Sequence, residues 1–199
     1  MADMLSDILS QLGSGGLSQI AGALGADENK AGDAVAMALP ALLGGMARNA
    51  KDPEGAQALA GALDNHSDDV FGKITDLLGS QDGAKILGHV LGNKQDATQQ
   101  RIAGGSGLDL SSVAKLLPML APLVMGYLGK QKQQKNLNAS DLAGALSAER
   151  AKTEEKAPGL GGLAAILDTD GDGFDLGDVT NLAKGSGGLG GLLGNILKG

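Results

Sequence analysis

The sequence predicts an all-α protein, a multi-helix bundle of short helices built from two pseudo-repeated halves. Apolar residues recur at helical spacing along most of the chain, and no stretch alternates with the period of two that marks a strand. Hydrophobic residues make up 42% of the 199 residues and aromatic residues only 2%, so the core must be aliphatic. The 34 glycines are more than twice the usual ~7% share, which favours many short helices with close backbone contacts.

Two apolar segments are predicted to be the central helices of this bundle. The stronger one is VAKLLPMLAPLVMGYL at 113–128, and a fainter copy, VAMALPALLGGM, lies at 35–46. Pro40 and Pro118 occupy the same place in the two copies, 78 residues apart. A proline removes a helix hydrogen bond and bends the helix. Because only the second copy has another proline, Pro122, we expect the two helices to be bent unequally.

The internal repeat extends beyond these segments. The pentapeptide LAGAL occurs at 59–63 and again at 142–146, an offset of 83 residues. This pattern predicts two similar halves, about 1–66 and 79–150, packed around a pseudo-dyad. Segments rich in Ala, Leu and Gly also resemble one another by composition alone, so this alternative stays open.

The helices of the first half follow from apolar spacing and capping residues. Short helices are predicted before and after the sequence GSGG at 13–16, and the second ends at Gly25. Asp27 is predicted to cap a long helix from about Glu28 to Asn49, whose apolar stripe is Val35, Leu39, Leu42, Leu43 and Met46. Asp52-Pro53 is predicted to start the next helix. Ser67 to Asp69 is predicted to cap a helix carrying Val70, Phe71, Ile74, Leu77 and Leu78.

The second half is predicted in the same way. A turn at 80–83 precedes a short helix with Ile86, Leu87, Val90 and Leu91, and a polar stretch then leads to a glycine loop at 104–107. Asp109 to Ser112 starts the central helix, and Asn138 to Asp141 caps the next one.

Residues 1–150 resemble a known family. The segments LPALLGGMARNAKDPEGAQALAGALD at 39–64, GAKILGHVLG at 83–92 and SGLDLSSVAKLLPMLAPLVMGYLGKQKQ at 106–133 are similar to the YidB-like bacterial domain of unknown function, the DUF937 family. This resemblance implies an all-α fold. It implies no activity, because the family has no established one whose residues could be carried over.

The C-terminal part has a different composition. Residues 151–159 are predicted to be a linker, and 160–199 an appendage holding an acidic loop and a tail rich in glycine and leucine. We expect the tail to be mobile unless its leucines dock on the helical domain or on a partner.

The sequence DTDGDGFDLGDV at 168–179 predicts a calcium site. Acidic residues stand at positions 1, 3 and 5 of a calcium loop and Gly173 at position 6, where the sharp turn requires glycine. Oxygen ligands without nearby His or Cys favour Ca²⁺ over a transition metal. The predicted ligands are the carbonyl of Phe174 and the side chains of Asp168, Asp170, Asp172 and Asp178.

This loop departs from the EF-hand and dockerin-like pattern. Position 12, which holds a bidentate acid in those loops, is Val179, and Asp178 comes one residue early. Position 8, usually apolar, is Asp175. The loop therefore resembles a shortened relative of those families, and a solvated Asp/Gly turn that binds no metal is the alternative.

No pattern in the sequence predicts catalysis. Ser112 and Lys115 spell the S-x-x-K of penicillin-recognising enzymes, but the accompanying motifs are absent and Ser112 is interpreted as a capping residue. His66 and His89 lack a helical ligand partner, and each is interpreted as a cap, surface or packing residue. The lysines around Lys132 have no aromatic neighbours for base stacking and are interpreted as a solvated helix face.

Charge and composition limit the remaining functions. A net charge of −7 argues against nucleic acid, and the absence of cysteine excludes thiol catalysis and zinc fingers. The uncharged run at 116–129 is shorter than the ~20 residues of a membrane span, so no integral span is predicted. Acidic residues near the N-terminus differ from a secretory signal, which predicts a cytoplasmic protein.

The sequence therefore predicts a non-enzymatic helical module that self-associates or binds another protein, with a calcium-stabilised C-terminal loop. The alternative is a carrier of an apolar small molecule or lipid in a cavity between the two helical halves.

Overall fold

The computed structural model describes residues 4–65 and 81–156. All the regular structure in these ranges is helical, which confirms the predicted all-α class. The helices, in chain order, are α1 Met4–Leu24, α2 Glu28–Asn49, α3 Pro53–Asp64, α4 Gln81–Leu91, a 3₁₀ turn Gly92–Lys94, α5 Gln95–Ser106, α6 Leu110–Lys135 and α7 Ala139–Lys156. Neither the pseudo-repeat nor the glycine-rich tail is established by this architecture, and both stay predictions.

The two predicted central helices, α2 and α6, lie at the centre of the fold. Helix α2 packs against α1, α3, α4, α5 and α6, and α6 packs against α1 to α5. Every position predicted to form the apolar stripe of α2 is buried: Val35, Leu39, Leu42, Leu43 and Met46. The core is aliphatic, as the composition predicts, and Tyr127 is the largest of its fully buried side chains.

Side-chain caps begin these helices where the sequence places them. Asp27 accepts hydrogen bonds from the backbone N–H groups of Asn29 (2.9 Å) and Lys30 (3.4 Å), which fixes the start of α2. Asp52 caps α3 by accepting from Gly55 N at 3.2 Å. Asn138 and Asp141 accept from each other's backbone N–H at the start of α7, a reciprocal capping box.

At the start of α6 the cap is Asp109 rather than Ser112. The Asp109 carboxylate accepts from Ser112 N at 2.9 Å and from the Ser112 hydroxyl at 2.8 Å. It also accepts from the Ser111 hydroxyl at 2.7 Å. Ser112 therefore contributes as a donor to the cap, in the first turn of the helix.

Of the predicted interruptions, one is found and two are helical. The stop predicted at 13–16 is a break in α1, where two helical segments meet at the non-helical backbone of Gly13 (φ 57°, ψ −177°). Residues 81–83, predicted as a turn, form the first turn of α4, and 104–106, predicted as a loop, end α5 before Gly107 at φ 69°. Helix α6 has 26 residues, so it is not one of the short helices that the composition favours.

Glycines explain two of the closest helix contacts. A Cβ on Gly83 of α4 would lie 1.9 Å from the carbonyl oxygen of Pro118 in α6. A Cβ on Gly45 of α2 would lie 2.6 Å from the carbonyl oxygen of Val90 in α4. Helix α4 thus packs closely on both central helices because glycine removes the side chain at each crossing.

The chain divides into two compact units, 1–150 and 151–199. Helix α7 continues to Lys156, so the first residues of the predicted linker are helical. Within the described ranges, α6 is the single helix long and apolar enough to span a membrane, and 83% of its apolar window is buried inside the protein. Such burial is typical of a core helix, in agreement with the prediction of no integral span.

Candidate binding groove between four helices

A groove of about 660 Å³ opens between α2, α3, α4 and α6. Its volume falls within the roughly 300–1,000 Å³ typical of small-molecule sites. Its lining combines an apolar majority with a few polar side chains. The lining residues, which define the groove, are Met46, Arg48, Asn49, Asp52, Gly55, Ala58, Leu59, Ala62, Ile86, His89, Val90 and Met125.

The corner between α2 and α3 shapes one end of the groove. Helix α2 ends at Asn49, and Asp52 and Pro53 start α3 only three residues later. A Cβ on Gly55 would lie 2.0 Å from the carbonyl oxygen of Asn49, so the first turn of α3 packs directly on the end of α2. Glycine at 55 is therefore required for the sharp turn that brings Leu59 and its neighbours over the groove.

Asn49 ties α2 to α4 at the groove. Its side-chain amide donates a hydrogen bond of 2.7 Å to the carbonyl oxygen of His89. His89 belongs to the last turn of α4, where backbone carbonyls have no partner within the helix. Asn49 satisfies one of these carbonyls and holds the two helix ends at a fixed distance.

The floor of the groove is apolar and buried. Met46, Val90 and Met125 are at most 5% exposed, and Ile86 is 9% exposed. The lining contains no Phe, Tyr or Trp, and its one imidazole belongs to His89, which is exposed at the border and not part of the floor. Two methionine side chains contribute instead, and their flexible thioethers adapt to ligands of irregular shape.

The polar residues lie at the helix ends that border the groove. Arg48 is half-buried in the last turn of α2, whereas Asp52 and His89 are exposed. Among residues 4–65 and 81–156, the Arg48 guanidinium has no ion pair and no hydrogen bond. The lining contains no serine, threonine, cysteine or lysine; its potential nucleophiles are Asp52, which caps α3, and the exposed His89.

A second polar cluster surrounds Tyr127, which is 2% exposed. The Tyr127 hydroxyl donates to Asp7 of α1 at 3.1 Å and accepts from the Gln131 amide at 3.2 Å. Burial, followed by the hydrogen bond to Asp7 and the charges of Asp7 and Glu149, raises the pKa of Tyr127 well above its ordinary value. These contacts fasten α1 to α6, and we interpret the cluster as structural.

The predicted functional residues are distributed as follows. The calcium-loop residues Asp168, Asp170, Asp172, Phe174 and Asp178 lie outside the described residues, as do His66 and the helix predicted after Ser67. Within the described ranges, no three acidic or histidine side chains are grouped as a metal site. Lys132, predicted on a solvated face, forms a salt bridge with Asp64.

His89, predicted as a cap, surface or packing residue, is exposed and also lines the groove. The lining comes from both predicted halves of the chain, 46–62 and 86–125. No local motif marks it, because each helix contributes only a few side chains.

Comparison with known proteins identifies a family. The family described as "Bacterial protein of unknown function (DUF937)" matches residues 6–131, which include α2 to α5 and every residue of the groove. No curated protein and no solved structure matches the chain.

Proposed function

We propose that this chain, which belongs to the DUF937 family of bacterial proteins of unknown function, is a non-enzymatic binding module that uses the groove as its binding surface. The observation that carries the proposal is the groove itself, a cavity of about 660 Å³ with a buried apolar floor. Burial of an apolar ligand surface there would contribute about 25 cal/mol per Å² removed from water.

Two kinds of occupant are compatible with a binding module. One is a protein, either a partner or a second copy of this chain, and the other is an apolar small molecule. The volume and concave shape of the groove favour the small molecule, because stable protein interfaces bury ~800 Å² on each partner. A carrier of an apolar small molecule or lipid is therefore the first candidate, and a protein-interaction module the second.

Native mass spectrometry of the gently purified full-length protein tests this proposal. A carrier should show a bound molecule of constant mass that is lost on denaturation, with the protein monomeric by light scattering. A stable oligomer without a bound molecule would favour the protein-interaction module. A monomer without any ligand, together with a turnover abolished by one polar substitution, would refute the proposal of a non-enzymatic module.

We also propose that the C-terminal loop binds Ca²⁺ and that the protein acts in the cytoplasm. The loop proposal is supported by the spacing of Asp168, Asp170 and Asp172, with the carbonyl of Phe174 and the side chain of Asp178 completing the ligand set. Repulsion among the carboxylates opposes a compact loop unless a cation neutralises them. Binding would stabilise the loop by about 2.7 kcal/mol at a hundredfold excess over Kd.

Calorimetric titration with Ca²⁺ tests the loop. We expect heat of binding for the wild type and none for the Asp170→Ala, Asp172→Ala double variant. An exchange of Asp27, a helix cap far from the loop in sequence, for Asn is the control and should leave the titration unchanged. Equal heats for the wild type and the double variant would exclude this site.

A further inference from the structure

We infer that the groove binds a single-chain anionic amphiphile, with the aliphatic chain on the apolar floor and the anionic head group paired with Arg48. This inference rests on the proposed function and names the ligand class for the same groove. The chemistry of the floor indicates the aliphatic chain, and the unpaired charge of Arg48 indicates the anionic head group. The net charge of the whole chain indicates a free ligand instead of a membrane surface.

The floor favours an aliphatic chain over a ring system. Met46, Val90 and Met125 present only aliphatic and thioether groups, so the floor has no ring on which a planar ligand would stack. An alkyl chain needs no fixed geometry, because it is held by dispersion contacts and by its removal from water. Flexible methionines provide such contacts along a chain of any bend.

Arg48 supplies the site for the head group. A half-buried guanidinium is partly removed from water, yet it has no hydrogen bond or ion pair among the described residues. A carboxylate or phosphate would satisfy it with charge-assisted, bidentate hydrogen bonds. The other polar side chains of the lining do not compete for Arg48, since Asn49 donates to His89 O and Asp52 accepts from Gly55 N.

The lining has one carboxylate, Asp52, which would repel an anionic head group. It is exposed and accepts a backbone hydrogen bond at 3.2 Å as the cap of α3. Solvent therefore screens its charge more than it screens the half-buried Arg48. We place the head group on the Arg48 side of the groove for this reason.

The amphiphile is expected to be a free molecule rather than part of a membrane. The chain carries a net charge of −7, which opposes association with an anionic membrane surface. A membrane-bound head group would also require the groove to face the lipid with a basic border, whereas Arg48 is the single arginine or lysine of its lining.

Calorimetric titration of the full-length protein with dodecanoate, below its micelle concentration, tests the inference. Dodecan-1-ol and dodecyltrimethylammonium serve as neutral and cationic ligands with the same chain. We expect dodecanoate to bind most tightly and the cation most weakly. Arg48→Gln should weaken dodecanoate binding about tenfold, because it removes the charge-assisted bonds, and should leave dodecan-1-ol binding unchanged. Arg101→Gln, an exposed arginine of α5 outside the groove, is the matched control and should bind like the wild type.

A second pair of variants tests the position of the chain. Ala58 is exposed on α3 and lines the groove, so Ala58→Phe should obstruct it and weaken binding of all three ligands at least tenfold. Gln57→Phe places the same ring at the neighbouring exposed position outside the groove, and it should have no effect. Thermal melting of both variants shows whether they are folded.

The outcomes separate this inference from the function on which it rests. If dodecanoate and dodecan-1-ol bind equally well, and binding is unchanged in Arg48→Gln but lost in Ala58→Phe, the inference of an anionic head group is wrong. The proposal of a carrier would still stand. Failure of all three ligands to bind the wild type would overturn both. Sedimentation of the protein with phosphatidylglycerol vesicles, lost in Arg48→Gln, would assign Arg48 to a membrane surface and overturn the free amphiphile.

Discussion

Helices α2 and α6 share a proline-centred apolar pattern, yet they make their close contacts with α4 in opposite ways. In α2 the glycine is on the central helix, where Gly45 meets the Val90 carbonyl of α4. At the contact with α6 the glycine belongs to α4 instead, where Gly83 meets the Pro118 carbonyl of α6. Close packing needs a missing side chain at each crossing, but either helix can supply it.

The second proline of α6, Pro122, explains why α4 approaches the carbonyl of Pro118. Pro122 has no N–H, so the Pro118 carbonyl, four residues earlier, lacks its helix hydrogen bond. The Cα of Gly83 lies against this oxygen, a geometry suited to a weak Cα–H···O contact. At the position aligned with Pro122, α2 has Gly44, which retains its N–H group. The Pro40 carbonyl therefore does not lose its helix donor in the same way.

The largest expected effect is on the contact of α6 with α4. Gly83→Ala places a Cβ 1.9 Å from the carbonyl oxygen of Pro118. This oxygen belongs to the backbone, which cannot move aside as the end of a flexible side chain can. We expect a loss of roughly 3 kcal/mol in the free energy of unfolding, measured by urea denaturation.

Gly88→Ala is the matched control for this contact. Gly88 lies on the same helix with nothing within 4 Å of the added Cβ. The substitution should stabilise the protein by about 0.5–1 kcal/mol through helix propensity. Equal effects of the two substitutions would show that α4 does not pack on α6 at Gly83.

The next effect is on the contact of α2 with α4, and adjacent glycines provide the comparison. A Cβ on Gly45 would lie 2.6 Å from the Val90 oxygen and 2.7 Å from its Cγ1, whereas Gly44 has open space. Gly45→Ala should cost about 2 kcal/mol, and Gly44→Ala should stabilise by about 0.5–1 kcal/mol. Thermal and urea unfolding measure both, and a stabilising Gly45→Ala would contradict the crossing.

These contacts also explain where prediction from sequence succeeded and failed. The bounds of α2 and the buried positions of its stripe were predicted correctly, because Asp27 and the apolar spacing are local signals. The prediction of a turn was wrong for residues 81–83, because they are helical and Gly83 makes a close contact with α6. Likewise, a Cβ on Gly105, in the predicted loop, would lie 2.4 Å from the Met37 methyl group. A glycine that breaks a helix and one that admits a neighbour look the same in a sequence.

The groove was less predictable than the helices. The sequence predicts a cavity between the halves only as part of the alternative function, and no pattern in it points to Arg48 or Asn49. Their roles depend on the end of α2 meeting the end of α4, where Asn49 binds the carbonyl of a residue 40 positions away. Such a site has no local spacing to recognise, in contrast to the calcium loop, whose ligands follow one another in sequence.

A smaller effect on the free energy of unfolding is expected at Tyr127, in the polar part of α6, for which α2 has no counterpart. Tyr127→Phe removes the hydrogen bonds to Asp7 and Gln131 and should cost about 1.5 kcal/mol at neutral pH. The pKa of Tyr127 is raised by burial, so the folded state favours the neutral phenol. Its contribution is therefore complete below the ordinary pKa of about 10 and is lost as the pH rises above that value.

Titration of the absorbance of tyrosinate measures this directly, because Tyr127 is the one tyrosine of the chain and there is no tryptophan. The native protein should titrate above pH 10 and the urea-unfolded protein near pH 10. Above that pH, the wild type should lose stability faster than Tyr127→Phe. A native titration near the ordinary value would contradict the buried hydrogen-bonded hydroxyl.

The smallest effects are expected at the N-terminal caps, where α2 and α6 differ in the number of bonds that the capping aspartate accepts. Asp27 accepts from two backbone N–H groups, and Asp27→Ala should cost about 1 kcal/mol. Asp109 accepts from the hydroxyls of Ser111 and Ser112 and from Ser112 N, and these bonds hold the pKa of its carboxyl well below the usual range.

The Asp109 cap should therefore weaken in acid. A lowered folded pKa means that the charge-dependent part of the Asp109 contribution is complete above the unfolded pKa of about 3.9 and is lost as the pH falls through the folded value. The destabilisation by Asp109→Ala should then be constant from about pH 7 to 5 and decrease on further acidification, as urea unfolding at each pH would show. Asp109→Asn keeps a capping oxygen but no charge, so it should reproduce the acid-insensitive remainder. If Asp109→Ala is equally destabilising at pH 7 and in strong acid, the charge of Asp109 does not stabilise the start of α6.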